Sequence, residues 1–530
     1  MHCFYLLCEA MCVLFHLLLV IFGINGARIL GYIPTPCYSH QIVFQPLWRE
    51  LSLRGHQVTT ITSHPINDPS LTNLTEINVS DSLQTDSTLN IVDLVTETSE
   101  RSVLSGFRLF FEQMIGVIDA ELNHHAVKDL INRGDVRFDL VIGEYFFASP
   151  FAFAKRFNCP SIGVLPVDGW NGLYRMVGSP SHPTLYPDYV TSPSDQLSLL
   201  DRVETLINSV LAHYYLVDYP QRKEEEVIEK HFGKRYPSPQ ELLKNISLFF
   251  VNSDPIFHPI RPLVPTVIQI GLGFHLTSSK PLLAQELQKS LDNASNGFIY
   301  FSLGSTVKSE ILSPKILEIF LSVFAELPYQ VYWKYERDTL PNKTDNVIIS
   351  KWFPQREILK HPNIKLFITQ GGLQSLEEAI YAHVPIVGIP IFTDQRYNIG
   401  RMVRRGCGLI LDHKDLEEKQ FKDAIVEVIS NPKYRNTMKR LANLAQDQPM
   451  TGLEKAVWWS EYVIRHKGAK HLRSPLLSIP WHQFLLLDVI GVLGLSVCGI
   501  VCLIYYPVKV IRRIINNKCH STLDSKEKKN

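Results

Sequence analysis

Cysteine is scarce where it would matter. The 530-residue chain holds nine, but Cys3, Cys8 and Cys12 lie in an apolar leader, Cys498 and Cys502 in a second apolar run, and Cys519 in a basic tail. Only Cys37, Cys159 and Cys407 remain for the body, which excludes a disulfide-stapled scaffold. No Cys/His cluster has the spacing of a zinc site. Charge of one sign is missing too. Lys and Arg total 53 against 52 Asp and Glu, a net charge of +1, without the basic surplus of a nucleic-acid binder. No Asp-x-Asp occurs anywhere, so an acidic pair that could clamp a divalent cation is not evident, and no metal is expected.

Long apolar runs are present, and there are two. Val13 to Ile24 is followed by the small residues Gly26 and Ala27, the pattern of a cleavable secretory signal. The leader carries Glu9 and no Lys or Arg, so an uncleaved anchor is the alternative. The second run, Phe484 to Tyr506, is long enough at ~1.5 Å per residue to cross a ~30 Å hydrocarbon core as a helix. Trp481, Tyr505 and Tyr506 flank it as an aromatic belt would, and the segment that follows is basic, as cytoplasmic tails are. The expectation is a single-pass type I protein with a lumenal body. Lys526 and Lys528 resemble a dilysine retrieval signal of endoplasmic-reticulum membrane proteins, the alternative being a solvated charged tail. Sequons at Asn73, Asn78, Asn245, Asn293 and Asn342 all fall between the two runs, which fits a glycosylated lumenal body; Asn73 and Asn78 are the ones expected in exposed loops.

Between the runs, short apolar segments alternate with helical patterns, the signature of parallel sheets built from βαβ units. In the first half the expected strands are RILGYI (28–33), QVTTIT (57–62), FDLVIG (138–143) and SIGVL (161–165), with helices at 42–54 and 148–157 and a last strand near 247–251. Residues 166–239 are rich in Tyr, Pro and Trp, and read equally as site-lining loops and helices or as a surface insertion. In the second half, strands GFIYFSLG, QVYWK, NVIIS, IKLFIT and PIVGIP alternate with helices at 313–326, after Pro354, at 373–382 and at 396–405. That order describes a doubly wound sheet, whose ligands bind at the carboxyl ends of the strands.

Those strand ends carry unusual residues. One ends in Gly304-Ser305, one in Gln370-Gly371-Gly372 directly before a helix, and one leads to Asp394-Gln395. Paired glycines let a ligand approach the backbone, and a helix N-terminus offers free N–H groups to a phosphate. Trp352 and Gln355 could hold a nucleobase through an aromatic face and an amide. Glu378, two helical turns past Gln370, could reach a ribose. Each taken singly also has an ordinary structural reading: tight packing, a core Trp, a surface charge.

Together they carry a resemblance. Phe367 to Gln395, with its Phe-Ile-Thr-Gln-x-Gly, Ser375, Glu378, Pro385, Pro390 and Asp394-Gln395, resembles the signature of UDP-glycosyltransferases over its full length. GYIPTPCYSH, GSTV (304–307), WFPQ, Trp458-Trp459, the span and the lysine tail extend the resemblance, to the membrane-bound animal branch. The resemblance implies an α/β chain of GT-B fold, two Rossmann-like domains facing a cleft, plus a C-terminal transmembrane helix. The expected organisation is a signal at 1–27, an acceptor-binding domain at 28–254, a linker at 255–290, a UDP-sugar-binding domain at 291–450, a closing and membrane-proximal segment at 451–483, a span at 484–506 and a cytoplasmic tail at 507–530.

The resemblance also implies roles. Trp352 would stack on uracil with Gln355 bonding beside it, and Glu378 would hold the ribose hydroxyls. Ser305, Gln370 and the Gly371-Gly372 backbone would hold the diphosphate, with Gln374 and Ser375 at the same helix start. Asp394 and Gln395 would bond the sugar. Many family members have His where Gln370 stands; Gln still donates but carries no charge. His40 would be the general base, oriented by a carboxylate as in hydrolase triads. The family has Asp where this chain has Glu144, one methylene longer, and Asp168 is the substitute candidate. The implied reaction is inverting transfer of a hexose from a UDP-sugar to a hydroxyl of a small lipophilic acceptor, in detoxification, with no cofactor. Glucose is the expected sugar and glucuronic acid the alternative. A non-catalytic binder of the same fold and a transferase dedicated to one endogenous steroid or lipid are the other readings. Membrane lipid and a homo- or hetero-dimer partner are compatible with it.

Overall fold

A computed structural model describes residues 26–83, 103–186, 197–271, 273–277, 283–305, 309, 312–391 and 394–527. Nearly all of the expected signal, Thr306 and Val307 of the GSTV stretch, and Lys528 and Lys529 lie outside the described residues.

Thirteen strands described here form two all-parallel sheets. β1 (Arg28–Tyr32), β2 (Gln57–Thr62), β3 (Leu74–Asn78), β4 (Leu140–Glu144), β5 (Ser161–Leu165), β6 (Leu248–Val251) and β7 (Val267–Gln269) make the first, in the order β3-β2-β1-β4-β5-β6-β7. β8 (Phe298–Ser302), β9 (Gln330–Lys334), β10 (Val347–Ser350), β11 (Ile364–Thr369), β12 (Ile386–Gly388) and β13 (Gly408–Ile410) make the second, in the order β10-β9-β8-β11-β12-β13. The central strands are apolar runs because both sheet faces are covered. Ile29 feeds one core layer, Leu30 and Tyr32 the opposite one. In β8, Ile299 and Phe301 face one layer while Phe298 and Tyr300 face the other.

Each sheet reverses its strand order once, at β1/β4 in the first and at β8/β11 in the second. At such a switch point the two connections leave in opposite directions and open a crevice beyond the carboxyl ends of the strands. His40 follows β1, Glu144 ends β4, Gly304-Ser305 follow β8 and Gln370-Gly371-Gly372 follow β11. Both switch points therefore carry the residues singled out above.

Several expectations shift. The first helix, α1, spans Tyr38–Leu53 and begins a turn early, so His40 lies in its first turn rather than at a strand end. Gln41 fixes this start: its amide donates to the carbonyls of Ile33 and Thr35 and accepts from Thr62 Oγ1. The proposed linker contributes β7 to the first sheet. β3, β13 and the helix Val103–Asn123 (α2) were not anticipated. The closing helix Gly452–His466 returns to pack against α1, β4 and β7, placing Ala456, Val457 and Val463 in the core with Ile29.

Ser474–Asn530 form a separate unit. In it, Leu487–Glu527 is one helix, and its stretch Leu487–Asn517 is long and apolar enough to cross a membrane. The described sequons Asn73, Asn78, Asn245, Asn293 and Asn342 are all exposed; Asn78 ends β3 rather than lying in a loop.

Candidate active site

The β1–α1 loop and β4 deliver two side chains 104 residues apart to one point. His40 Nδ1 lies 2.7 Å from Glu144 Oε1. Glu144 Oε2 accepts the backbone N–H of Thr35 at 3.0 Å. Glu144 is fully buried, and a buried carboxylate needs such partners to remain charged. With Nδ1–H donated to Glu144, Nε2 holds the lone pair; it has no hydrogen-bond partner among the described residues, and the ring lines a cavity of about 620 Å³. The side chain is 18% exposed, open enough to meet a substrate. The longer Glu144 side chain thus spans the gap to His40. Asp168, the substitute, is engaged elsewhere: it accepts from Tyr174 Oη at 2.7 Å and pairs with Arg261 at 3.1 Å. Burial would raise its carboxyl, but Arg261, His258, Tyr174 and Arg401 outweigh that and hold it below its ordinary value.

The same cavity is lined on its far side by strand ends of the second sheet, and Ser305, Trp352, Gln355, Gln370, Gly372, Gln374, Ser375, Glu378, Asp394 and Gln395 all border it. Glu144 and Gly371 stand behind it. Gly304 and Gly371 have φ of +83° and +93°, the left-handed region where a side chain is strained. A Cβ on Gly304 would lie 2.1 Å from Gln370 Nε2. The Gln370 amide oxygen accepts from Thr369 Oγ1 at 3.2 Å, which orients Nε2 toward Gly304 and Gly372. That amide and the start of the helix Leu373–Tyr381 (α3) together form a donor-rich corner suited to a diphosphate.

Beyond this corner, Gln355 Nε2 donates to Glu378 Oε2 at 2.7 Å and to Ser375 Oγ at 3.0 Å. Trp352 is half-exposed, and its ring meets the edge of Tyr38 at a centroid separation of 5.3 Å and 87°. Gln374 donates to the Pro166 carbonyl at 3.0 Å, tying α3 to the first half. Gln395 Oε1 accepts the Ile391 N–H at 2.8 Å, and Asn398 donates to both Asp394 Oδ2 (2.7 Å) and the Gly371 carbonyl (3.2 Å). Asn398, not singled out from sequence, thus joins the Asp394-Gln395 turn to the glycine loop.

Three further contributions were also not singled out. Phe107, Phe110, Phe111 and Met114 of α2 form an apolar wall; their i, i+3, i+4, i+7 spacing was a readable helix signal. Phe146 stacks on Trp170 (4.9 Å, 10°) and lies 5.8 Å from the His40 ring. His275, on the turn Phe274–Thr277, is 1% exposed. Its Nδ1 lies 3.2 Å from Glu377 and its Nε2 3.3 Å from Glu378. Burial alone would lower its pKa, but the two carboxylates outweigh that and push it up to about 9.

Comparison with known proteins fits this geometry. The family model described as UDP-glucoronosyl and UDP-glucosyl transferase matches residues 30–521. A UDP-glycosyltransferase, UGT5, of Dactylopius coccus is 34% identical over 92% of this chain and 93% of its own. An ecdysteroid UDP-glucosyltransferase of Spodoptera littoralis nuclear polyhedrosis virus is 32% identical over 88% of this chain and 93% of its own. Among solved structures, that of TcCGT1 in complex with UDP aligns at a TM-score of 0.57 and 13% identity, over 83% of this chain and all of the other. At that identity the likeness speaks for the GT-B fold alone.

Proposed function

The chain belongs to the UDP-glycosyltransferase family, and from that premise we propose that it transfers glucose from UDP-glucose to a hydroxyl of a small lipophilic acceptor, with inversion. The observation that carries this reading is the convergence of the two switch points, His40–Glu144 and the glycine-flanked Gln370 corner, on one cavity. The acceptor enters against Phe107, Phe110, Phe111, Phe146 and Trp170. His40 Nε2 takes the hydroxyl proton as the oxygen bonds to the anomeric carbon and the bond from that carbon to the phosphate oxygen breaks. Glu144 holds Nδ1–H and stabilises the imidazolium that forms. The diphosphate charge released is met by Gln370, Ser305 and the α3 N-terminus. Trp352 and Gln355 hold uracil, Glu378 the ribose, and Asp394 and Gln395 the sugar, with Gln374 and Ser375 shaping the helix start. No metal or cofactor takes part.

We place the enzyme in the endoplasmic-reticulum membrane with its body lumenal, glycosylated, and acting in conjugation of apolar compounds. The apolar helix at Leu487–Asn517, the exposed sequons and the lysine tail support this. The non-catalytic alternative rests on Glu144 standing where the family has Asp, and the 2.7 Å contact with His40 supports the transferase reading over it.

The test is UDP release by microsomes expressing the full chain, offered UDP-glucose or UDP-glucuronic acid with a phenolic acceptor panel, with and without EDTA. Acceptor-dependent turnover with UDP-glucose, unaffected by EDTA and lost in His40→Ala, is expected. Preference for UDP-glucuronic acid would overturn the sugar, EDTA inhibition the metal-free chemistry, and UDP binding without turnover the transferase reading.

A further inference from the structure

Glu377 and Glu378 are consecutive on α3 and project to different sides. Glu377 points into the seam between the halves, where Oε1 accepts from Asn252 Nδ2 at 3.1 Å and Oε2 from the Gly273 N–H at 3.5 Å. Glu378 points to the cavity. His275 occupies the gap with one ring nitrogen on each carboxylate. Without it, the fully buried Glu377 would lose the ring that lies against its carboxylate, which is costly at low dielectric.

The arrangement fixes Glu378 in a particular way. His275 engages Oε1 at 3.3 Å and Gln355 engages Oε2 at 2.7 Å. A carboxylate has about four lone-pair sites, so each oxygen retains one acceptor site beyond these contacts. Two acceptors on a carboxylate held at both oxygens match a vicinal diol better than a single hydroxyl.

We propose that His275 is a positioning residue that makes the donor site select a ribonucleotide over a 2′-deoxyribonucleotide, by locking Glu378 for bidentate acceptance from both ribose hydroxyls. This rests on the reading of Glu378 as the ribose-binding carboxylate. His275 is 1% exposed, and its reach toward the donor runs through Glu378. Its effect falls on donor affinity and leaves the chemical step at His40 alone.

The experiment compares UDP-glucose with 2′-deoxy-UDP-glucose on the full-length microsomal enzyme, for the native chain, His275→Ala, His275→Gln and Glu378→Ala. The native enzyme should favour the ribo donor by about 10- to 100-fold in kcat/KM, the worth of one hydrogen bond to a charged group. In His275→Ala the KM for UDP-glucose should rise about tenfold, with kcat held within about twofold and the KM for the deoxy donor unchanged. His275→Gln, whose amide still donates to Glu378, should recover part of the preference. Turnover of the deoxy donor reports that each variant is folded. An equal rise in KM for both donors, or a preserved ribo preference in His275→Ala, overturns the proposal. If Glu378→Ala itself keeps the preference, the ribose reading fails first. If Glu378→Ala loses it and His275→Ala keeps it, only the role of His275 fails. Should His275→Ala abolish turnover, the ratio is read from equilibrium binding of UDP and 2′-deoxy-UDP to His275→Gln, where an unchanged ratio overturns the proposal and a reduced one supports it.

Discussion

Two histidines border the same cavity, each against carboxylate, and they are held in opposite ways. His40 is 18% exposed, commits Nδ1 to a single carboxylate and leaves Nε2 open. His275 is 1% exposed and commits both nitrogens, each to a different carboxylate. The residue type is the same, and the difference in role follows from occupancy and access. A histidine can act as a base only if one nitrogen keeps its lone pair and a substrate can reach it. A histidine pinned at both nitrogens by two carboxylates is an imidazolium strut, able to orient its neighbours and unable to accept a proton from anything. The carboxylates differ in parallel. Glu144 is spent on its histidine and the Thr35 N–H, whereas Glu378 keeps acceptor capacity toward the cavity.

The contrast breaks most visibly at His40. His40→Ala should lower kcat by roughly 10²- to 10⁴-fold, the usual worth of a general base. The KM for the donor should stay within about twofold, because the donor groups belong to the other sheet; initial-rate UDP release measures both. A large rise in donor KM instead would mean that His40 serves binding. Glu144 sharpens the point. Glu144→Gln keeps the volume but removes the charge that stabilises the imidazolium, and kcat should fall by about 10²-fold. Glu144→Asp withdraws the carboxylate by one methylene from a 2.7 Å contact, and should cost about tenfold in kcat. A gain of activity in Glu144→Asp would show that the pairing seen here is not the productive one.

The two histidines also differ in how readable they were. The second-sheet side of the cavity is legible because a strand, a glycine turn and a helix start place Gln370, Gly372, Ser375 and Glu378 within one turn-and-helix stretch, so local spacing implies spatial proximity. His40 and Glu144 are 104 residues apart, and nothing local joins them; only the resemblance to a family did. His275 had neither aid. It lies in a stretch read as linker, and its partner Glu378 is 103 residues away. β7 was lost in that same stretch because three residues are too few to show a period. The α2 wall differs again, since the helical spacing of Phe107, Phe110, Phe111 and Met114 is present in the sequence.

A smaller effect tests which side of the cavity each histidine serves. Phe146 lies 5.8 Å from His40 and stacks on Trp170, on the apolar side. Phe146→Ala should raise the acceptor KM about five- to tenfold, in line with losing about 1–1.5 kcal/mol of aromatic contact, and leave the donor KM unchanged. Dependence of the donor KM on Phe146 would merge the two sides that the comparison separates.

The last effect is on stability and leaves turnover aside. The folded-state pKa of His275 is pushed up to about 9, against an ordinary value near 6.5. Between those values the folded chain binds a proton that the unfolded chain does not, so ν_U − ν_N is negative and stability falls as pH rises. The contribution is therefore complete below about pH 6.5, declines through pH 9 and is absent above it. Integrated over that window it is on the order of 3 kcal/mol. Thermal unfolding between pH 6 and pH 10 should show a fall in Tm of a few degrees in the native chain, and His275→Gln, which does not titrate in this range, should lack that component. An identical slope in both would mean that His275 is not the group that titrates, and that its hold on Glu378 does not depend on charge.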